Sequence, residues 1–115
     1  MAREVRHFLH DILEAIAIVE PAIAGKSFAD YQNDALLRLA LERAIEIISE
    51  ASRGIPDELK ATRPEIPWPR VKAIGNILRH EYHGLSGKII WGVITDELPN
   101  IRIAVKALQT QLDED

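Results

Sequence analysis

From Val5 onward the apolar residues Val5, Phe8, Leu9, Ile12, Ala15, Ile16 and Val19 recur at i, i+3, i+4 and i+7, a spacing that only a helix gathers onto one stripe. A chain that begins this way must bury that stripe against elements of the same kind, and the rest of the sequence supplies them. Pro21 and Gly25 read as the end of the first helix, and Asp30 to Asn33 offers N-caps for a second helix running to about Ala51. The second helix carries Leu36, Leu37, Leu39, Ala40, Leu41, Ala44, Ile45, Ile47 and Ile48, more than one stripe can hold. It is therefore expected to bury two faces, in the core or in a dimer.

Gly54 and Pro56 close the second helix, and Pro56, Pro64, Pro67 and Pro69 exclude regular helix from the connection that follows. Pro69 suits the first turn of a third helix with Val71, Ile74 and Leu78 as its buried row, ending near Tyr82 before Gly84 and Gly87. A short helix with Ile89, Ile90, Trp91 and Ile94 comes next. Pro99 marks a start after Thr95 or Asp96, and Leu98, Ile101, Val105, Leu108 and Leu112 give a last amphipathic helix whose narrow seam, with the extra face of the second helix, suggests a two-fold dimer. No strand pattern, repeat or low-complexity segment interrupts this order. The fold class expected is all-α, a four- to five-helix bundle.

With 115 residues and 47% hydrophobic content, residues 1–115 are the size of one domain with one core. The absence of cysteine excludes a disulfide framework, a thiolate metal site and a cysteine nucleophile. Asp11 and Glu14 break the first apolar pattern in a way that a secretory core or a membrane span would not tolerate, so a cytoplasmic protein is expected. The net charge of −4 argues against a globally basic nucleic-acid binder. Between Arg63 and His83, however, Arg63, Arg70, Lys72 and Arg79 oppose only Glu65 and Glu81, giving +2 there and −6 elsewhere. A locally basic face on an acidic body is the expectation.

On the third helix, Lys72, Asn76, Arg79, His80 and His83 share one arc opposite Val71, Ile74 and Leu78, with Tyr82 at its shoulder. Gly75, inside this helix, weakens it by roughly 1 kcal/mol relative to alanine, which suggests that another backbone or a ligand approaches closely there. RNA cleavage without a metal needs a base for the 2′-hydroxyl, an acid for the leaving oxygen, and donors for the phosphorane charge. His80, Arg79, Asn76 and Tyr82 are of the right types for those roles. By spacing alone, Arg79, His80 and His83 also read as a solvated helix end, where basic groups favour the C-terminal dipole.

Other chemistries find less support. His80 and His83 stand three apart without a second pair, unlike the His-Glu-x-x-His zinc motif. His7, His10 and Asp11 have metal-like spacing but fall on the exposed side of the first helix, where a solvated face is the better reading. No cofactor and no metal is expected. There is neither a nucleophile elbow nor a glycine-rich phosphate loop.

The helix from Arg38 to its Glu50-Ala51 end, the connection Pro64-Glu65-Ile66-Pro67-Trp68, then Asn76, His80 and Tyr82, and finally Trp91 and Leu98-Pro99, resemble HepT-like proteins of the HEPN superfamily. The likeness spans nearly the whole chain. It implies a helical bundle, a homodimer, and a metal-independent ribonuclease toxin encoded beside a minimal nucleotidyltransferase antitoxin. The family motif is an arginine, four to six residues, a histidine, any residue and a tyrosine, usually with asparagine after the arginine. Asn76, His80 and Tyr82 match it, whereas Gly75 stands at the arginine position and Arg79 lies one turn further on.

The resemblance thus implies Arg79, His80 and Tyr82 as catalytic residues, with Lys72, Asn76 and His83 binding RNA or nucleotide. It further implies that the antitoxin adenylylates Tyr82, placing negative charge where the RNA phosphate must bind. The alternative is a catalytically inactive HEPN subunit in which the same helix binds nucleotide or the nucleotidyltransferase. A purely structural helical module is the third reading.

Overall fold

In the computed structural model, which describes residues 2–80 and 85–114, every regular element is helical. The order is α1 (Ala2–Ile23), α2 (Phe28–Gln32), α3 (Ala35–Ser52), α4 (Asp57–Lys60), α5 (Trp68–His80), α6 (Leu85–Gly92), a π-helical segment (Val93–Glu97) and α7 (Leu98–Glu114). The chain is an all-α bundle, as expected, with the longer helices α1, α3, α5 and α7 as its body. In space α1 lies between α7 and α3, and α3 between α1 and α5. Ile45 and Ile48 of α3, Val71 and Ile74 of α5, and Leu98 and Ile101 of α7 meet around one recess and close the bundle.

The stripe read from α1 is the one that is buried. Leu9, Ile12 and Ile16 are fully enclosed, together with Leu41 and Ile45 of α3 and Val105 and Leu108 of α7. Each such side chain stabilises the fold by roughly 1.5–3 kcal/mol relative to exposure. Among the described residues no helix is long and apolar enough to cross a membrane.

Several boundaries differ from the sequence expectation, each for a local reason. Helix α1 continues through Pro21 to Ile23, because a proline on the exposed side of a last turn forfeits only one backbone bond; Gly25, at φ 74°, then turns the chain. The second helix is split. Ser27 caps α2 by a reciprocal capping box, its hydroxyl accepting from Asp30 N–H at 3.2 Å and Asp30 accepting from Ser27 N–H at 2.8 Å. These bonds to Ser27 hold the Asp30 carboxyl below the usual carboxylate range. Asp34 rather than a residue of 30–33 then caps α3, accepting from Leu37 N–H at 3.0 Å.

The proline-rich connection holds one turn of helix, α4, because Pro56 has an extended backbone and stands at the cap rather than inside. Pro64, Pro67 and Pro69 keep the remainder irregular until α5, whose first turn contains Pro69. Trp68 anchors this connection, its indole N–H shared between the carbonyls of Lys60 (3.1 Å) and Arg63 (3.0 Å).

One further expectation is narrowed and another corrected. The surplus apolar residues of α3 do not form a second buried face within the chain: Leu36 is 78% and Leu39 65% exposed, since α1 and α5 cover only the opposite side. The seam of α7 is not free for association, because Leu98, Ile101, Val105 and Leu108 are buried inside the bundle. Pro99 stands in the first turn of α7, close to the start read after Thr95 or Asp96, although no break in helix precedes it. It follows the π-helical segment, in which Leu98 N–H reaches back five residues to Val93 C=O, and residues 85–114 stay helical throughout.

Candidate functional site

Helix α5 presents two unlike faces. Val71 and Ile74 are buried and Leu78 half-buried, as the spacing requires, whereas Lys72, Asn76 and Ile77 are exposed. Arg79 and His80 are the last two backbone positions of α5, one turn beyond Gly75 and Asn76. Tyr82 and His83 lie outside the described residues. The structure therefore brings together Lys72, Asn76 and the helical positions of Arg79 and His80 on one element.

A close approach is present at Gly75, but its source is a side chain of α3 and neither a backbone nor a ligand. A Cβ on Gly75 would stand 2.7 Å from Ser49 Oγ and 3.1 Å from Ser49 Cβ. Ser49 is buried, donates its hydroxyl to Lys72 C=O at 2.8 Å and accepts from Gly75 N–H at 3.2 Å. One hydroxyl thus bridges two backbone groups of the helix that carries the motif. Position 75 is filled by this contact and has no room for a guanidinium stem. Ser49 was missed by the sequence reading, although a serine four residues after Ile45, on the buried row of an apolar helix, is itself a signal.

The basic face is smaller than its residue count implies. Arg70 pairs with Glu97 at 2.9 Å, and Arg63 lies 3.8 Å from Glu65. Glu97 comes from the π-helical segment, outside the stretch over which the charge was summed. Lys72 makes no ion pair among the described residues. On α1 the rings of His7 and His10 are exposed and approach Asp11 at 3.6 Å and Glu14 at 3.4 Å, one turn on. Among the described residues no group of three histidine or carboxylate side chains could hold a metal ion.

Beyond residues 81–84, an aromatic group fixes the element that follows. Tyr31 is buried between Phe28 (ring centroids 5.9 Å apart) and Trp91 of α6 (5.5 Å), and burial pushes its hydroxyl above the ordinary phenol range. The elements on both sides of residues 81–84 are in this way held by side chains from α2 and α3.

The family profile "Ribonuclease HepT-like" matches residues 12–108. A protein of Thermococcus cleftensis named "Probable ribonuclease HepT" is 34% identical over 102 residues, 89% of this chain and 93% of the relative. "Putative RNase MJ1380" of Methanocaldococcus jannaschii is 34% identical over 104 residues, 90% of this chain and 95% of its own length. "Putative RNase TTE0752" of Caldanaerobacter subterraneus subsp. tengcongensis is 33% identical over 103 residues, covering 90% and 92%. No solved structure matches.

Proposed function

Because this chain belongs to the Ribonuclease HepT-like family, we propose that it is a metal-independent ribonuclease, the toxin of a pair whose antitoxin is a minimal nucleotidyltransferase. The observation that carries this reading is the family match across residues 12–108, which encloses Asn76, His80 and Tyr82 at the motif spacing. His80 takes the 2′-hydroxyl proton or protonates the leaving oxygen. Asn76 donates to the phosphorane, and Lys72 and His83 bind neighbouring phosphates.

Arg79 supplies the guanidinium. The Ser49 contact at Gly75 supports this assignment, since the family's arginine position is spent on helix packing and Arg79 is one turn away on α5. Tyr82 serves in catalysis and is the hydroxyl that the antitoxin adenylylates. A bound nucleotide there sets phosphate charge against Arg79 and His80 and blocks the RNA path.

The working form is a cytoplasmic homodimer of one HepT-like domain per chain. Phe8 and Asp11 of α1 share a groove with Arg43, Ile47 and Ala51 of α3, an antiparallel pairing that brings exposed Ile18 level with the first turns of α3. Ile18, Leu36 and Leu39 there form the surface that a second copy covers.

Purified protein incubated with RNA in the presence of a chelator tests the reading. Cleavage that disappears in His80→Ala and in Arg79→Ala is the expected result. Intact RNA, together with a stable complex with the nucleotidyltransferase that tolerates His80→Ala, would replace it by the non-catalytic alternative. After co-expression, intact mass should rise by whole AMP units in the wild type and not in Tyr82→Phe.

A further inference from the structure

We infer that Lys60 of α4 and Lys72 of α5 form a phosphate-binding pair that carries the RNA backbone from the motif face of α5 onto α4. The inference rests on the ribonuclease reading above and adds to it a residue, Lys60, that lies outside the family motif and outside the basic stretch of the sequence.

Three observations lead to it. Lys60 lays its ammonium 5.9 Å from the centroid of the Trp68 ring, and that ring is itself pinned by its indole N–H to the carbonyls of Lys60 and Arg63. The amine is therefore placed by the fold rather than trailing in solvent. Lys72 stands one turn along α5 from Trp68 and one turn before Asn76, exposed, so the order Lys60, Lys72, Asn76 leads towards Arg79 and His80. Finally, neither ammonium has a carboxylate at ion-pair distance among the described residues, whereas Arg63 and Arg70 beside them are taken by Glu65 and Glu97.

The pair also carries an electrostatic cost that an anion would relieve. Burial is the main influence lowering the Lys60 amine below its ordinary range; Asp57 opposes it, and the positive charge of Lys72 acts in the same direction as burial. Two like charges brought within each other's field, one of them partly desolvated, gain more from a phosphodiester than a solvated lysine does. The contact is to the backbone, so it adds affinity without sequence preference.

The test is binding of a fluorescent single-stranded RNA oligonucleotide across a salt series, in the His80→Ala background so that the probe survives. Lys60→Gln should weaken binding several-fold and lower the slope of log affinity against log salt by about 0.7, the value of one lost phosphate contact on a single strand. Lys60→Arg should restore both, and Lys106→Ala on α7 should change neither. Unchanged affinity and slope in Lys60→Gln overturns the inference even where the wild type cleaves RNA. Lys60-dependent binding by a wild type that leaves RNA intact keeps the inference and removes the ribonuclease reading. A wild type that neither binds nor cleaves removes both.

Discussion

The contact between α1 and α7 and the contact between α3 and α5 are built on different principles. The first is a broad apolar seam, with Leu9, Ile12, Val105 and Leu108 fully buried and ion pairs, Arg6 with Asp113 and Arg102 with Glu20, along its exposed edge. Many hydrophobic residues of suitable volume would serve there. The second also buries apolar residues, but at its centre a glycine and a serine replace larger side chains and one hydroxyl is bonded to two backbone groups of the partner helix. A seam of the first kind supplies stability. A contact of the second kind fixes one helix at one depth and rotation, and it does so one turn before Arg79 and His80.

The largest effect on stability should come from the first region. Leu108→Ala is expected to lose roughly 2–5 kcal/mol in chemical denaturation, with RNA cleavage per folded molecule retained at low temperature. Gly75→Ala comes next. Its methyl meets Ser49 at under 3 Å, and overpacking of about 1–3 kcal/mol outweighs a helix-propensity gain of about 1 kcal/mol. Cleavage should fall further than stability in this variant, and Ser49→Gly in the same chain should relieve the clash. If Leu108→Ala and Gly75→Ala lose activity in proportion to their unfolding free energies, the distinction between the two regions collapses.

Ser49→Ala is expected to cost about 1–2 kcal/mol, the price of removing one hydroxyl from two buried bonds. Its diagnostic readout is kcat measured apart from KM, with kcat the more affected because the motif helix, not the substrate path, loses its tether. The smallest effect belongs to Arg6→Ala. An exposed ion pair contributes about 0–1 kcal/mol, so its unfolding midpoint should stay close to wild type and drift little with added salt.

This contrast also explains what could be read from the residues in order. The stripes of α1 and α7 are apolar periodicities, and each led directly to buried side chains. Gly75 announced a close approach, because a glycine inside a helix has a cost that needs a reason. That the approaching group is the side chain of Ser49 depends on how α3 is rotated against α5, and neither helix records that by itself. The pairing of Arg70 with Glu97 was illegible for a similar reason, since partners brought together by topology obey no spacing rule. Counting Arg70 as free charge consequently overstated the basic face. The surplus leucines of α3 were legible as excess, but the choice between the core and a second copy was not, because composition does not say which flank a neighbouring helix covers.

The π-helical segment Val93–Glu97 has a consequence for evolution of the C-terminal half. Such a segment amounts to one residue more than the α-helical register holds, so the faces before and after it differ by about 100°. Before it, Trp91 turns towards Tyr31 of α2; after it, Leu98 and Ile101 face the recess shared with α3 and α5, and Val105 is buried in the body of the bundle. Deleting a single residue from 93–97 would bring both sets into one frame, set Pro99 against a carbonyl of the preceding turn, and leave Trp91 or Leu98 facing the wrong neighbour. Sequences that share this architecture should therefore keep the length of this segment more strictly than its residues.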